Sequence, residues 1–123
     1  PAVGDFGATQ VADAKAIGAA IDTIATVRLA EEIVDYIVRL VRATRESADL
    51  ECGASPRAAT LLARAACAAA ALHGRDYVMP DEVQPVAAGV RRHGAILSAP
   101  AEIEGRNVEQ VVAALLEREE VPR

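Results

Sequence analysis

Tryptophan is absent from this 123-residue chain, and one phenylalanine and two tyrosines make up its aromatic content. With 2% aromatics in a chain that is 52% hydrophobic, the core must come from Ala, Val, Leu and Ile. That argues against a sandwich or barrel and for helices packed at close range. Cysteine is scarce as well. Cys52 and Cys67, with His73 and His93 as the only imidazoles, do not make a four-ligand zinc site, and His93 has no partner at ligand spacing. Cys67 lies among alanines and reads as an inert core thiol, whereas Cys52 falls in a loop. Long apolar runs are missing: none approaches the roughly 20 residues that span a bilayer, and no signal peptide is visible. A soluble, cytoplasmic protein is expected. Lysine is reduced to Lys15 among 13 basic residues, and the net charge of −5 argues against a dedicated nucleic-acid binder. The length suits one domain.

Catalytic constellations are missing too. There is no Gly-x-x-x-x-Gly-Lys-[Ser/Thr] loop to cradle phosphates and no apolar strand ending in paired acids to hold magnesium. Asp81-Glu82 and Glu31-Glu32 sit at helix starts, where the dipole and capping account for them. No Ser-His-Asp or Cys-His grouping is suggested, so the isolated chain is expected to hydrolyse nothing.

What is present is helical periodicity. Pro1 to Ala8 has two glycines and no period and reads as a linker. Thr9 or Asp13 caps a helix to about Ala20, broken by Asp22 and Thr23, with Ile24 to Arg28 a connector. A stronger helix runs from Leu29 or Ala30 to Glu46, with a stripe of Ile33, Ile37, Leu40 and Thr44 widened by Val34 and Val41. Its Arg39, Arg42 and Arg45 form a basic patch at the end where the dipole welcomes cations. Ser55 to Leu72 follows, with Leu61, Leu62, Ala65, Ala66, Ala69 and Leu72 at helical spacing; so much alanine suits the central helix of a bundle. Gly74 allows a sharp exit, Arg75 and Asp76 hold the turn, and Tyr77-Val78 is expected to pair with Ile96-Leu97-Ser98 in a tiny ladder. Pro80-Asp81-Glu82 opens the next helix, with Val83, Val86, Ala87 and Val90 as its apolar face, ending near Arg91-Arg92-His93. Ala99 to Gly105 reads as a loop. Asn107 caps a last helix bearing Val108, Val111, Val112, Leu115 and Leu116. The expected fold is mainly all-α, a compact bundle of about four to five helices, with one two-stranded ladder at most.

One helix start breaks the usual rule. In Gly53-Ala54-Ser55-Pro56-Arg57-Ala58, Ser55 stands as N-cap and Pro56 at the first helical position, yet the first turn holds a cation and no acid. Helix N-termini favour negative charge, so Arg57 there costs a few tenths of a kcal/mol, roughly, unless an anion arrives from elsewhere. Free N–H groups, the dipole and a guanidinium would then converge on it. Arg64, two turns on, is a candidate supporting cation, though a salt bridge also accounts for it.

GASPRA, then a helix, then GRDYVMPDEV, resembles the C-terminal lid of MoxR-type AAA+ ATPases, and the likeness runs from about residue 27 to the end. DYIVRLVRATRE is similar to a helix of that lid. The resemblance implies a lid over residues 9–123 preceded by a linker, residues 1–8, from an ATPase core that this chain lacks. It implies Arg57 as the sensor-two residue reaching the terminal phosphates of ATP. Ser55 and Arg64 are the supporting candidates. ATP and Mg2+ are implied for the intact protein and neither for the isolated domain. The implied partners are the core and neighbouring subunits of a ring, usually a hexamer, acting as a chaperone-like remodeler of client proteins. Where the family has His-Arg, this chain has His93-Gly94, so any role of that second arginine is absent or moved to Arg91 or Arg92. The alternatives are a free-standing helical module binding a protein or DNA through SPRAATLLARAA, and another AAA+ branch such as the magnesium-chelatase-like group.

Overall fold

A computed structural model describes residues 3–91 and 94–123; the side chains of Val3, Val90 and Arg91 are outside that description. The expectations placed on Val90, Arg91, Arg92 and His93 therefore lie outside the described residues. A short 3-10 turn, Val3–Phe6, precedes α1 (Ala14–Ala25), α2 (Glu31–Glu46), β1 (Leu50–Cys52), α3 (Pro56–Leu72), α4 (Pro80–Arg91), β2 (Ile96–Leu97), α5 (Ala99–Ile103) and α6 (Val108–Arg118). The class is the expected one, a helical bundle with one small ladder.

The core is aliphatic and centred on α2 and α3. Ile33, Tyr36, Ile37 and Leu40 of α2 pack with Leu62, Ala66 and Ala70 of α3, Val78, and Val83 and Ala87 of α4. Alanine on the inner face of α3 lets α4 lie close along it, because a methyl keeps two helix backbones less far apart than a leucine would. The apolar stripe of α2 is found as expected, with one exchange. Val34 is exposed, and Tyr36 is fully buried in its place, its hydroxyl accepting from Gln84 Nε2 at 3.3 Å. On α3, Leu62, Ala66 and Ala70 are buried while Leu61 and Leu72 face outward, so that apolar stripe is narrower than its spacing predicts. α6 is held by a capping box between Asn107 and Gln110, and buries Val111 and Val112.

Four expectations are corrected. α1 does not break at Asp22-Thr23 but runs to Ala25, because the Thr23 hydroxyl donates back to the Ala19 carbonyl at 3.0 Å and so joins the helix. The ladder partner of Ile96-Leu97 is β1, not Tyr77-Val78. Tyr77-Val78 is already engaged: the Val78 N–H donates to Arg28 O at 3.0 Å and the Arg28 N–H to Asp76 O at 2.8 Å. Cys52 accordingly lies in β1, exposed, rather than in a loop. Ala99 to Ile103 is a helical turn, capped by Ser98 and closed by Gly105 at φ +75°, where the chain needs a residue without a Cβ.

Candidate functional site

The loop before α3 carries the candidate residues. Ser55 occupies the N-cap with extended backbone, and its carbonyl accepts from the Ala58 N–H at 2.9 Å. Its hydroxyl makes no capping bond, contrary to what its type and position predict. Pro56 follows as the first helical residue, and Arg57 is the second, exposed. Among the described residues neither the Ser55 hydroxyl nor the Arg57 guanidinium has a hydrogen bond or ion pair within the chain. The first turn of α3 contains no acid, whereas α2, α4, α5 and α6 each start with at least one. α1 also lacks one, but the Asp13 carboxylate caps it by accepting from Ala16 N at 2.8 Å. α3 is thus the helix here whose positive end meets a cation with no carboxylate of its own. Chemically this is an open anion-binding arrangement.

What fixes this start in place comes from α2. The Thr44 side chain is fully buried; its hydroxyl donates to the Val41 carbonyl at 2.6 Å and accepts from the Ala54 N–H at 3.0 Å. Gly53 lies so close to α2 that a Cβ there would meet Thr44 O at 2.5 Å and the Arg45 backbone at 2.6 Å. Spacing alone makes Thr44 one more member of the α2 stripe and does not show this bond; a hydroxyl at an apolar stripe position is the available signal.

Arg64 is exposed and sits two turns from Arg57, roughly 10 Å along the axis at 1.5 Å per residue. It borders a cavity of about 480 Å³ between α1 and α3, lined also by Ile21, Ile24, Leu29 and Cys67. Burial pushes the Cys67 thiol up, which suits an unreactive role. Thr60, one turn from Arg57, borders a second apolar hollow of about 250 Å³ with Val34, Val38 and Ala59. The structure does not bring Arg64 into contact with Arg57.

The other arginine cluster is closed. Arg75 reaches the buried Glu82 carboxylate, with Asp81 at 3.5 Å, and His73 Nδ1 lies 3.2 Å from the same Glu82 oxygen. Partial desolvation lowers the Arg75 pKa, but the Glu82 and Asp81 carboxylates outweigh it and hold the guanidinium above its usual range. Arg75 is structural, as its place in the turn predicts. Among the described residues no group of three His, Cys, Asp or Glu side chains is placed to hold a metal ion. No described helix is long and apolar enough to cross a membrane.

Residues 42–115 of this helical bundle match the family model of the AAA lid domain. The chain belongs to that family. Within it the lid is of the MoxR type, a likeness carried by one of three similar proteins that bears that name. The uncharacterized protein YeaC of Bacillus subtilis (strain 168) is 37% identical over 99 residues, which are 80% of this chain and 31% of that protein. Chaperone MoxR1 of Mycobacterium tuberculosis is 36% identical over 100 residues, 74% of this chain and 26% of that one. The crystal structure of a "putative ATPase" from Cytophaga hutchinsonii superimposes with a TM-score of 0.77 at 34% identity, covering 83% of this chain and 34% of the other. The chain thus spans about a quarter to a third of each of these relatives.

Proposed function

We propose that this chain is the lid of an ATP-hydrolysing AAA+ protein and that Arg57 binds the terminal phosphates of ATP held by an ATPase core. The observation that carries the reading is the exposed, unpaired guanidinium at the acid-free N-terminus of α3. The core supplies the Mg2+ ligands and the phosphate loop, a motif that the sequence here does not contain. Arg57 contributes positive charge where charge accumulates during phosphoryl transfer, and its contact is made or lost with the terminal phosphate. Because α3 is the centre of the bundle, that contact moves the whole lid as one body against the core. Subunits assembled in a ring would pass this motion to a protein client in the manner of a chaperone; the name of the Mycobacterium tuberculosis relative supports that step.

The test is Arg57→Ala in the full-length ATPase. Loss of one transition-state donor of this kind costs on the order of 10²-fold in turnover, with an unchanged far-UV circular dichroism spectrum because the side chain is exposed and makes no hydrogen bond or ion pair among the described residues. Turnover within twofold of the parent would end the phosphate reading.

A further inference from the structure

We infer that Thr44 is a positioning residue for Arg57, resting on the phosphate reading above. A helix start is ordinarily fixed by its own N-cap side chain, and α3 has the residue for it in Ser55, but that hydroxyl makes no capping bond. Two of the three residues before the helix, Gly53 and Ala54, are tied to α2 instead. The Thr44 hydroxyl receives the Ala54 N–H at 3.0 Å, in a setting where Thr44 is 0% and Ala54 4% exposed. The same hydroxyl is itself fixed, since it donates to Val41 O at 2.6 Å. One residue earlier, Gly53 rests directly on the Thr44-Arg45 backbone, at a distance no Cβ could share. Arg57 is three residues beyond Ala54, so one hydroxyl and one missing Cβ fix the approach to the site from its N-terminal side, while core packing of α3 fixes it from the other.

This arrangement leaves the Ser55 hydroxyl uncommitted and keeps the first turn of α3 open, while the positioning work is done from behind, on the buried side. Thr44 touches neither nucleotide nor reacting atoms. Its effect on turnover passes through the placement of Arg57, where a displacement of the order of 1 Å is enough to matter.

The experiment is a double-mutant cycle in the full-length ATPase. Thr44→Val keeps the side-chain shape and removes the acceptor; kcat is expected to fall about tenfold, with the circular dichroism spectrum retained. Thr44→Ser, which keeps the hydroxyl, should restore most of that loss. On an Arg57→Ala background, Thr44→Val should cost less than about twofold more, since the residue it positions is gone. Gly53→Ala, which forces the loop off α2 by another route, should behave as Thr44→Val does. Equal losses on both backgrounds, or a Thr44→Val protein that does not fold, would overturn the assignment, because the hydroxyl would then serve the bundle as a whole. A damaged Arg57→Ala enzyme beside an intact Thr44→Val one overturns this inference alone. An unaltered Arg57→Ala enzyme removes the phosphate reading and this inference together.

Discussion

α3 and α4 begin alike and are finished in opposite ways. Each opens with proline at its first position, Pro56 and Pro80, where a missing N–H costs nothing. At α4 the first-turn acid is served from within the chain. Glu82 accepts from the Met79 N–H at 2.6 Å, faces the positive end of its helix, and is neutralised by Arg75 with His73 alongside. Its side chain is fully buried as a result. At α3 the place of Asp81 is taken by Arg57, exposed, and that of Glu82 by Ala58, with no carboxylate in the first turn and no committed cap hydroxyl. A helix start that folding alone had shaped would look like α4. The difference locates the position where this chain accepts a local electrostatic cost, one that an anion from elsewhere would offset.

The largest expected effect comes from making α3 resemble α4. Arg57→Glu places a carboxylate on the positive end of α3, so the 123-residue chain should become slightly more stable, by about 0.3–1 kcal/mol. In the full-length ATPase the same change sets a carboxylate against the terminal phosphates, and turnover should fall by at least about 10²-fold. Thermal unfolding of the one and ATP turnover of the other decide the matter. A variant that loses both stability and turnover would mean that Arg57 serves the bundle, and the contrast with α4 would vanish.

Opening α4 is next in size and acts on stability. Glu82→Ala removes the acceptor of the Met79 N–H and the partner of Arg75 together. With the carboxylate fully buried and Arg75 partly in solvent, the expected loss is about 2 kcal/mol, a fall in Tm on the order of 10 °C for a chain of this size. Glu82→Gln keeps an oxygen for Met79 and should lose about half as much. If Glu82→Ala unfolds at the parent's temperature, the closed start of α4 is not the anchor described.

Much of this architecture was legible in the residues, and the failures have a pattern. Helix starts marked by proline or Asn107 were found, because caps and first turns are local chemistry. The unusual cation in the first turn of α3 was visible for the same reason. What could not be read was which distant group completes each local feature. Glu82 reads as an ordinary first-turn acid, and nothing nearby in sequence says that its side chain is buried against Arg75. Tyr77-Val78 and Leu50-Cys52 are both plausible partners for Ile96-Leu97. The choice depends on Arg28, about fifty residues upstream of Tyr77, having already paired with it. Thr44 fits an apolar stripe by its spacing, and only packing shows that its hydroxyl faces Ala54. Periodicity identifies a buried face; it does not identify what that face meets.

The smallest expected effect is the sharpest test of an open α3, because it sets two hydroxyl- or amide-bearing caps side by side. Asn107 caps α6 with its side-chain oxygen 2.8 Å from the Gln110 N–H, and Gln110 answers at 3.1 Å to the Asn107 N–H. Asn107→Ala should therefore lose about 1 kcal/mol, the ordinary worth of a made cap. Ser55 stands at the same position of α3 with its hydroxyl unused, so Ser55→Ala should lose less than about 0.5 kcal/mol. In the full-length ATPase the same substitution should lower turnover about tenfold, the effect of one hydroxyl donating to a charged phosphate oxygen. Matched thermal melts of the two variants measure the first half and steady-state turnover the second. Equal losses of stability at Ser55 and Asn107 would show that the hydroxyl is spent on its own helix in solution, leaving the start of α3 no more open to a ligand than the start of α6.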